Sequence, residues 1–277
     1  MSSLTSNEIK LFGDGIGSVR LIESFGNDET VVQAARVSYT NRPTSSDART
    51  LIRYLYSNRH TSPFEQVVFR FEVVAPVFVA RQWLRHRTAH VNEQSARYSV
   101  LEDRFYYPRW DVVCNQSVVN KQGRTLGETH PSAVAFVNEL RRVCEIAYRV
   151  YINAVEAGIA REIARMVLPV NIYTKFIWTI DLHNLLHFLS LRMDEHAQWE
   201  IQQYAHAIYT LIQPIVPQTV AAFENYTISG IRLSGEELEN DSANMSNREK
   251  QAFTEKKDRL KPLTDAIYSQ PESGARK

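Results

Sequence analysis

The sequence predicts an α+β protein, and three observations predict it. Apolar spacing of the helical kind covers most of the chain, the longest run being Ser132 to about Ala157. Period-two alternation is confined to the early part, at 18–25 and Gln66–Ala75. The two kinds of segment do not alternate regularly, which argues against a βαβ architecture with a parallel sheet.

Residues 18–25 (SVRLIESF) alternate well enough for a strand, and Asn27 and Asp28 offer N-caps for a helix through Thr30–Val37. Ser45, Ser46 and Asp47 open a second helix with Leu51, Ile52 and Leu55 on its apolar face. That helix runs out near Asn58–His60, and Ser62–Pro63 follows as a stop. In Gln66–Ala75, Val67, Phe69, Phe71 and Val73 take one face, with Arg70 and Glu72 on the other. Pro76 fits the first turn of a helix that continues to about His86. Residues 101–130 are polar and turn-rich, without clear periodicity. The long helix is ended by Gly158, a short one ends before Pro169, and a helical block over about Leu182–Ile212 is stopped by Pro214 and Pro217. From about Glu236 the chain is charge-dense and poor in aliphatics, a peripheral helix or flexible tail. The division is one domain over 1–230 and a charged extension of unknown role over 231–277.

Composition bounds the function. The 277 residues carry 32 Lys+Arg against 31 Asp+Glu, a net charge of +1, which argues against a nucleic-acid coat protein. With 44% hydrophobic and 23% charged residues the chain is of ordinary globular type. No apolar run of membrane-spanning length exists, and the start, MSSLTSNEIK, lacks a signal-peptide core. Cys114 and Cys144 make neither a disulfide framework nor a zinc motif, so the expected location is cytoplasmic. Within the balanced total lies a skew: 8 Lys against 24 Arg, five of those Lys in the last 28 residues. Arginine is the residue for rigid, bidentate contacts to phosphate and carboxylate.

Three motifs compete for chemistry. In Gly13-Asp14-Gly15-Ile16-Gly17 the third glycine falls one position early for a dinucleotide fingerprint and a strand follows, so a turn is expected. His183 and His187 share a helical face, with His196 nearby, but Asn184 stands where a zinc hydrolase would want Glu. Between 81 and 97, Arg81, Arg85, Arg87 and Arg97 have only Glu93 as counter-charge. Arg81, Gln82 and Arg85 fall on one face if the helix continues. Either carboxylates from elsewhere neutralise these arginines, or the stretch is built for an anion. Read as a binding module, it is a patch for RNA or phosphoprotein, a polyanion; read with His183, His187 and His196, the chain is a metallohydrolase.

A fourth reading rests on resemblance. Arg85-His86-Arg87 followed by seven residues and Ser95, continuing into Arg97-Tyr98, is similar to the signature of flavin-dependent thymidylate synthases. His60-Thr61-Ser62-Pro63-Phe64-Glu65, Ala164-Arg165-Met166-Val167-Leu168-Pro169, and Leu189-Ser190-Leu191-Arg192 with His196-Ala197-Gln198-Trp199-Glu200 resemble further blocks of that family, in its order. The resemblance covers roughly residues 18–226. It implies helices packed around a small, mostly antiparallel sheet, assembled as a homotetramer with shared active sites. It implies reductive methylation of dUMP to dTMP with 5,10-methylenetetrahydrofolate as carbon donor and NADPH as hydride source via FAD. No metal, nucleic acid or membrane enters.

Carried over residue by residue, dUMP contacts fall on Gln82, Trp83, Leu84, Arg85, Glu93, Gln94, Ser95, Ala96, Arg97, Arg165 and Arg192, with Arg192 catalytic at the pyrimidine. FAD contacts fall on Ser62, Arg85, His86, Arg87, Thr88, Glu93, Asp181, Leu182, His183 and His187, and His60 is assigned to positioning. Ser62, Asp181 and His187 depart from residues of some relatives (Thr, Asn and Asn). Ser95 is expected to bind substrate, because a serine without an adjacent base is a poor nucleophile.

Overall fold

The computed structural model describes residues 7–37, 47–119 and 121–230. Ser45, Ser46 and the 231–277 extension lie outside them. The order is β1 (Glu8–Lys10), β2 (Ser18–Phe25), α1 (Asp28–Arg36), α2 (Ala48–Ser57), β3 (Val68–Pro76), α3 (Val77–Trp83) and β4 (His90–Glu93). Then come β5 (Cys114–Gln116), β6 (Arg124–Thr129), α4 (Ala133–Glu156), α5 (Arg161–Ala164), β7 (Tyr173–Asp181), α6 (Leu182–Arg192), α7 (Trp199–Ile212) and α8 (Pro217–Phe223). The mixed helix and antiparallel-sheet class is as expected.

Five strands form one sheet in the order β1-β2-β3-β7-β4, every pairing antiparallel. Its middle is the nine-residue β3–β7 ladder, from Val68↔Asp181 to Pro76↔Tyr173. Val67, Phe69, Phe71 and Val73 are fully buried on one face, joined by Phe176, Trp178 and Ile180 of β7. The other face is polar: Arg20 pairs with Glu72 at 2.9 Å and Arg70 with Glu23 at 3.2 Å. One face must therefore be covered and the other need not be. α3, α6 and α7 cover it, with Trp83 edge-on to Trp178 at 5.1 Å and Phe188 at 4.9 Å from both rings. A smaller cluster, Phe105, Cys144 and Ile172, anchors α4.

Several expectations are corrected. Strand β7 has no counterpart in the sequence reading, which placed its strands early, although it is an interior strand paired with both β3 and β4. Edge strand β4, opened by His90, likewise has no counterpart in the sequence reading. The featureless 101–130 stretch contains the β5–β6 hairpin and buries Phe105 and Tyr106. The helical block from 182 is two helices, α6 and α7, separated at 193–198. Pro217 starts α8 rather than only ending a helix, as suits a first-turn proline. The helix after Pro76 stops at Trp83, so Arg81, Gln82 and Arg85 do not share a continuous helical face.

Other signals are met. Asn27 caps α1 through a reciprocal pair with Thr30, and Asp47 caps α2. Gly13 and Gly15 take φ of 71° and 76°, and Asp14 accepts the N–H groups of Ile16 and Gly17. The segment is a turn between β1 and β2, not a cofactor loop. Asp14 also accepts the Tyr173 hydroxyl, tying that turn to the start of β7. Burial, then Asp14, holds the Tyr173 phenol far above its ordinary range.

Trp178 sits between interior strand β7 and the covering helices. Trp178→Ala is expected to lower the unfolding free energy by about 3–5 kcal/mol in urea titration. A loss under about 1 kcal/mol would show that the Trp178 site collapses without α3 and α6 depending on it.

Candidate active site

The site begins with how α3 and α6 leave the sheet. α3 continues from the end of β3 and α6 from the end of β7, which are opposite ends of one antiparallel ladder. Both lie on the Trp178 face, so their C-terminal ends approach each other. Past α3 the chain turns, with His86 N–H donating to the Trp83 carbonyl. This brings His86 against Arg192 at the last position of α6: Arg192 Nε donates to His86 Nε2 at 2.9 Å, and its terminal nitrogen reaches the Gln82 carbonyl at 3.4 Å. Phe188 packs on the His86 ring at 4.8 Å, and the His187 ring lies 6.3 Å away. The 106-residue separation of His86 and Arg192 is closed only by the fold.

His86 accepts with Nε2, so its neutral form fits this contact. Burial, then the Arg192 guanidinium, then His187, pushes its pKa down from 6.5 to about 4. Arg192 is itself half-buried, and desolvation lowers its pKa from the ordinary arginine value. A guanidinium facing a neutral imidazole keeps charge available for a ligand, since among the described residues no carboxylate pairs with it.

The flanking arginines answer the neutralisation question. Among the described residues, Arg97 pairs with Glu162 at 3.2 Å, while Arg81, Arg85, Arg87 and Arg165 are exposed and pair with no carboxylate. Glu93 gives none of them relief: its carboxylate accepts from Thr174 Oγ1 at 2.7 Å. Unpaired arginines beside a turn suit an anionic ligand.

A second group lies at the end of β4. Gln94 N–H bonds the Lys175 carbonyl, and the Ser95 hydroxyl accepts the Arg97 N–H at 3.3 Å. No His or Lys hydrogen-bonds Ser95 among the described residues. Arg161 and Glu162, one turn before Arg165, contact Tyr98 and Arg97 and bring Arg165 to this side. No hydrogen bond, ion pair or ring contact joins this group to Gln82, His86 and Arg192 among the described residues.

Trp83 is fully buried, and Leu84 and Thr88 lie exposed on the turn after α3. Ala96 is buried. Leu182 is buried with its N–H on the Val67 carbonyl, and Asp181 caps α6 through the Asn184 N–H and amide. His183 is half-buried on α6. His60 and Ser62 are exposed; the His60 ring lies against Tyr54 at 5.8 Å. His196 bonds Asp194 at 2.8 Å, and no group of three metal-ligating side chains occurs among the described residues. Sequence reasoning assigned no role to Gln198 and Glu200, although it quoted them: Gln82 donates its amide to Gln198, which donates to Glu200 at 2.9 Å. Their signal was the block after Arg192, but contact with Gln82 has no local trace.

Comparison with known proteins places this arrangement. Residues 20–218 match the family described as thymidylate synthase complementing protein. The flavin-dependent thymidylate synthase of Dictyostelium discoideum is 49% identical over 245 residues, 86% of this chain and 80% of that protein. That of Thermus thermophilus is 51% identical over 223 residues, 80% of this chain and 81% of the other. Among solved structures, a UMP/dUMP methylase, PolB, from Streptomyces cacaoi bound with 5-Br dUMP aligns at a TM-score of 0.69 and 37% identity, covering 76% of this chain and 95% of that one. The fold and these relatives thus define a flavin-dependent enzyme of methyl transfer. The chain belongs to the thymidylate synthase complementing protein family, that of the flavin-dependent thymidylate synthases.

The His86 contact predicts a pH response. Its folded-state pKa, about 4, lies below the ordinary 6.5, so between those values the unfolded chain binds the extra proton. The stability linked to this group is therefore full above 6.5 and declines as pH falls toward 4. Imidazole nitrogen shifts of His86 are expected to titrate with a midpoint of about 4. A midpoint near 6.5 would contradict the contact with Arg192.

Proposed function

We propose that this enzyme converts dUMP to dTMP, with 5,10-methylenetetrahydrofolate as one-carbon donor and NADPH as the source of hydride through FAD. The observation that carries the reading is the junction of Arg192 with His86 and the Gln82 carbonyl, next to arginines without carboxylate partners. The donor set fits the ligands: the dUMP phosphate and the FAD diphosphate are anions, and Arg85, Arg87 and Arg165 are exposed and, among the described residues, uncommitted to carboxylates. When bound, FAD supplies the hydride chemistry that no side chain possesses.

In this reading Gln82, Arg85, Glu93, Gln94, Ser95, Arg97 and Arg165, with the main chain at Trp83, Leu84 and Ala96, hold dUMP. Main-chain N–H groups near Ser95 and Ala96 bind phosphate as a turn of donors does. Arg192 faces the pyrimidine, where a fixed guanidinium stabilises negative charge as it develops and favours attack from C5. Its anchor, neutral His86, holds it without withdrawing its charge. Ser62, Arg85, His86, Arg87, Thr88, Glu93, Asp181, Leu182, His183 and His187 hold FAD, His187 extending the imidazole surface begun by His86. His60 positions cofactor or substrate. Ser95 acts as a hydrogen-bonding group, since no base adjoins it.

Assembly as a homotetramer completes the reading. Two groups of site residues stand apart in one chain, and copies set against each other bring them together. Apolar surface supports it: Val134, Phe136, Val143, Ile146 and Val150 of α4 are exposed, as are Ile163, Met166, Val167 and Val170. Residues 1–230 form the catalytic domain, and a cytoplasmic location agrees with the absence of any helix long and apolar enough to cross a membrane among the described residues.

The deciding assay supplies dUMP, methylenetetrahydrofolate, NADPH and FAD and measures dTMP. Formation of dTMP is expected, and none with flavin bound and all substrates present would sink the reading. Ser95→Ala is expected to keep measurable turnover, whereas Arg192→Ala nearly abolishes it with FAD still bound. Complete loss in the serine variant, with dUMP affinity intact, would make Ser95 a nucleophile.

A further inference from the structure

We propose that Glu200, acting through Gln198, is a positioning residue that fixes which atom of the Gln82 amide faces the nucleotide. The inference rests on the reading of Gln82 as a dUMP contact. Glu200 is the second residue of α7 and only 3% exposed. Its two carboxylate oxygens take the Arg124 guanidinium at 2.6 Å each, the Tyr106 hydroxyl at 3.1 Å and the Gln198 amide nitrogen at 2.9 Å. Arg124 is itself fixed, by the Val112 carbonyl at 2.6 Å and by the Trp199 ring at 5.7 Å.

A carboxylate paired with arginine has lone pairs to offer and no proton. Gln198 must therefore give it an N–H, which leaves its Oε1 as the atom turned to Gln82. Gln82 must in turn present its own Nε2 to that oxygen. Turning either amide by half a turn would set two acceptors against each other, at Glu200 or between the glutamines. The choice of atom at Gln82 is thus made at the far end of the relay, by a buried charge. What the Gln82 amide turns away from Gln198 is Oε1, an acceptor, with the second N–H of Nε2 left beside it. Uridylate offers donors that an amide oxygen accepts, the ring N3–H and the 3′-hydroxyl, whereas an amide nitrogen there would suit O2 or O4. The β5–β6 hairpin, otherwise remote from the chemistry, acquires a function: it brings Arg124 to keep Glu200 an acceptor.

A double-mutant cycle on dUMP affinity, by calorimetry on the flavin-loaded protein, tests this. Gln82→Ala and Gln198→Met are each expected to raise Kd roughly tenfold, and the double variant to bind no more weakly than either, because Gln198 acts only through Gln82. At saturating dUMP, kcat of Gln198→Met is expected to stay within about threefold of the parent, a split that a general structural loss would not give. Glu200→Gln, which lets both amides turn, is expected to weaken dUMP similarly with flavin content retained; Gln198→Met carries the test if that variant does not fold. Additive losses, about a hundredfold in the double variant, or unchanged affinity in Gln198→Met or Gln82→Ala would overturn the relay alone. A parent protein that binds no dUMP would overturn the nucleotide reading and the relay with it.

Discussion

The pairing of β3 with β7 is the constraint on which the rest depends. Nine-residue strands span about 30 Å, and a seven-residue α3 and an eleven-residue α6 cover about 10 and 16 Å. Launched from opposite ends of one antiparallel ladder and laid on the same face, the helices use up most of the strand length. Their last residues must then meet. Gln82, His86 and Arg192 are brought together by this arithmetic of lengths, and the ring packing of Trp83, Trp178 and Phe188 holds both helices down. A slip of one residue in the ladder would turn Trp178 and Phe176 to the polar face and leave neither helix a surface to sit on.

Charge is distributed by the same logic. On the open face of the sheet, arginines find carboxylates and contribute little beyond solubility, as exposed pairs do. Below the junction, Arg124 and Glu200 form a pair whose desolvation is offset by Tyr106 and Gln198. At the junction the pattern breaks: Arg192 meets a neutral imidazole and Arg85 and Arg87 meet no carboxylate among the described residues, and neither does Arg165 in the group at the end of β4. The near-zero net charge of the chain conceals this sorting, because charges are paired on the open sheet face and left unpaired at the site.

Much of the fold was legible where one face of an element is buried and the other wet. β3 is such an element, and so are α1 and α2, which also carry capping residues. β7 escaped because apolar residues occupy both of its faces: Tyr173 and Ile177 interrupt the polar side, and the alternation blurs. β4 escaped for the opposite reason, all four residues being exposed at the sheet edge with no apolar pattern to read. Of the candidate site, the arginine cluster and the paired histidines of α6 were visible because their members are close in sequence. The partner of Arg192 was not, since His86 lies 106 residues away, and Glu200, inside what reads as one continuous helical block, carries no local sign that it is a buried anion. Helix length misled as well: α3 ends at Trp83, and the turn that follows, not a continued helical face, delivers His86.

In the proposed function one junction, Arg192 with His86, serves both nucleotide and flavin. The most direct measurement is the visible difference spectrum of the flavin-bound protein on adding dUMP, with calorimetry run in parallel. The account predicts a flavin band that shifts on addition of dUMP, saturating at the affinity found by calorimetry. Binding of dUMP with no change in the flavin band would contradict it.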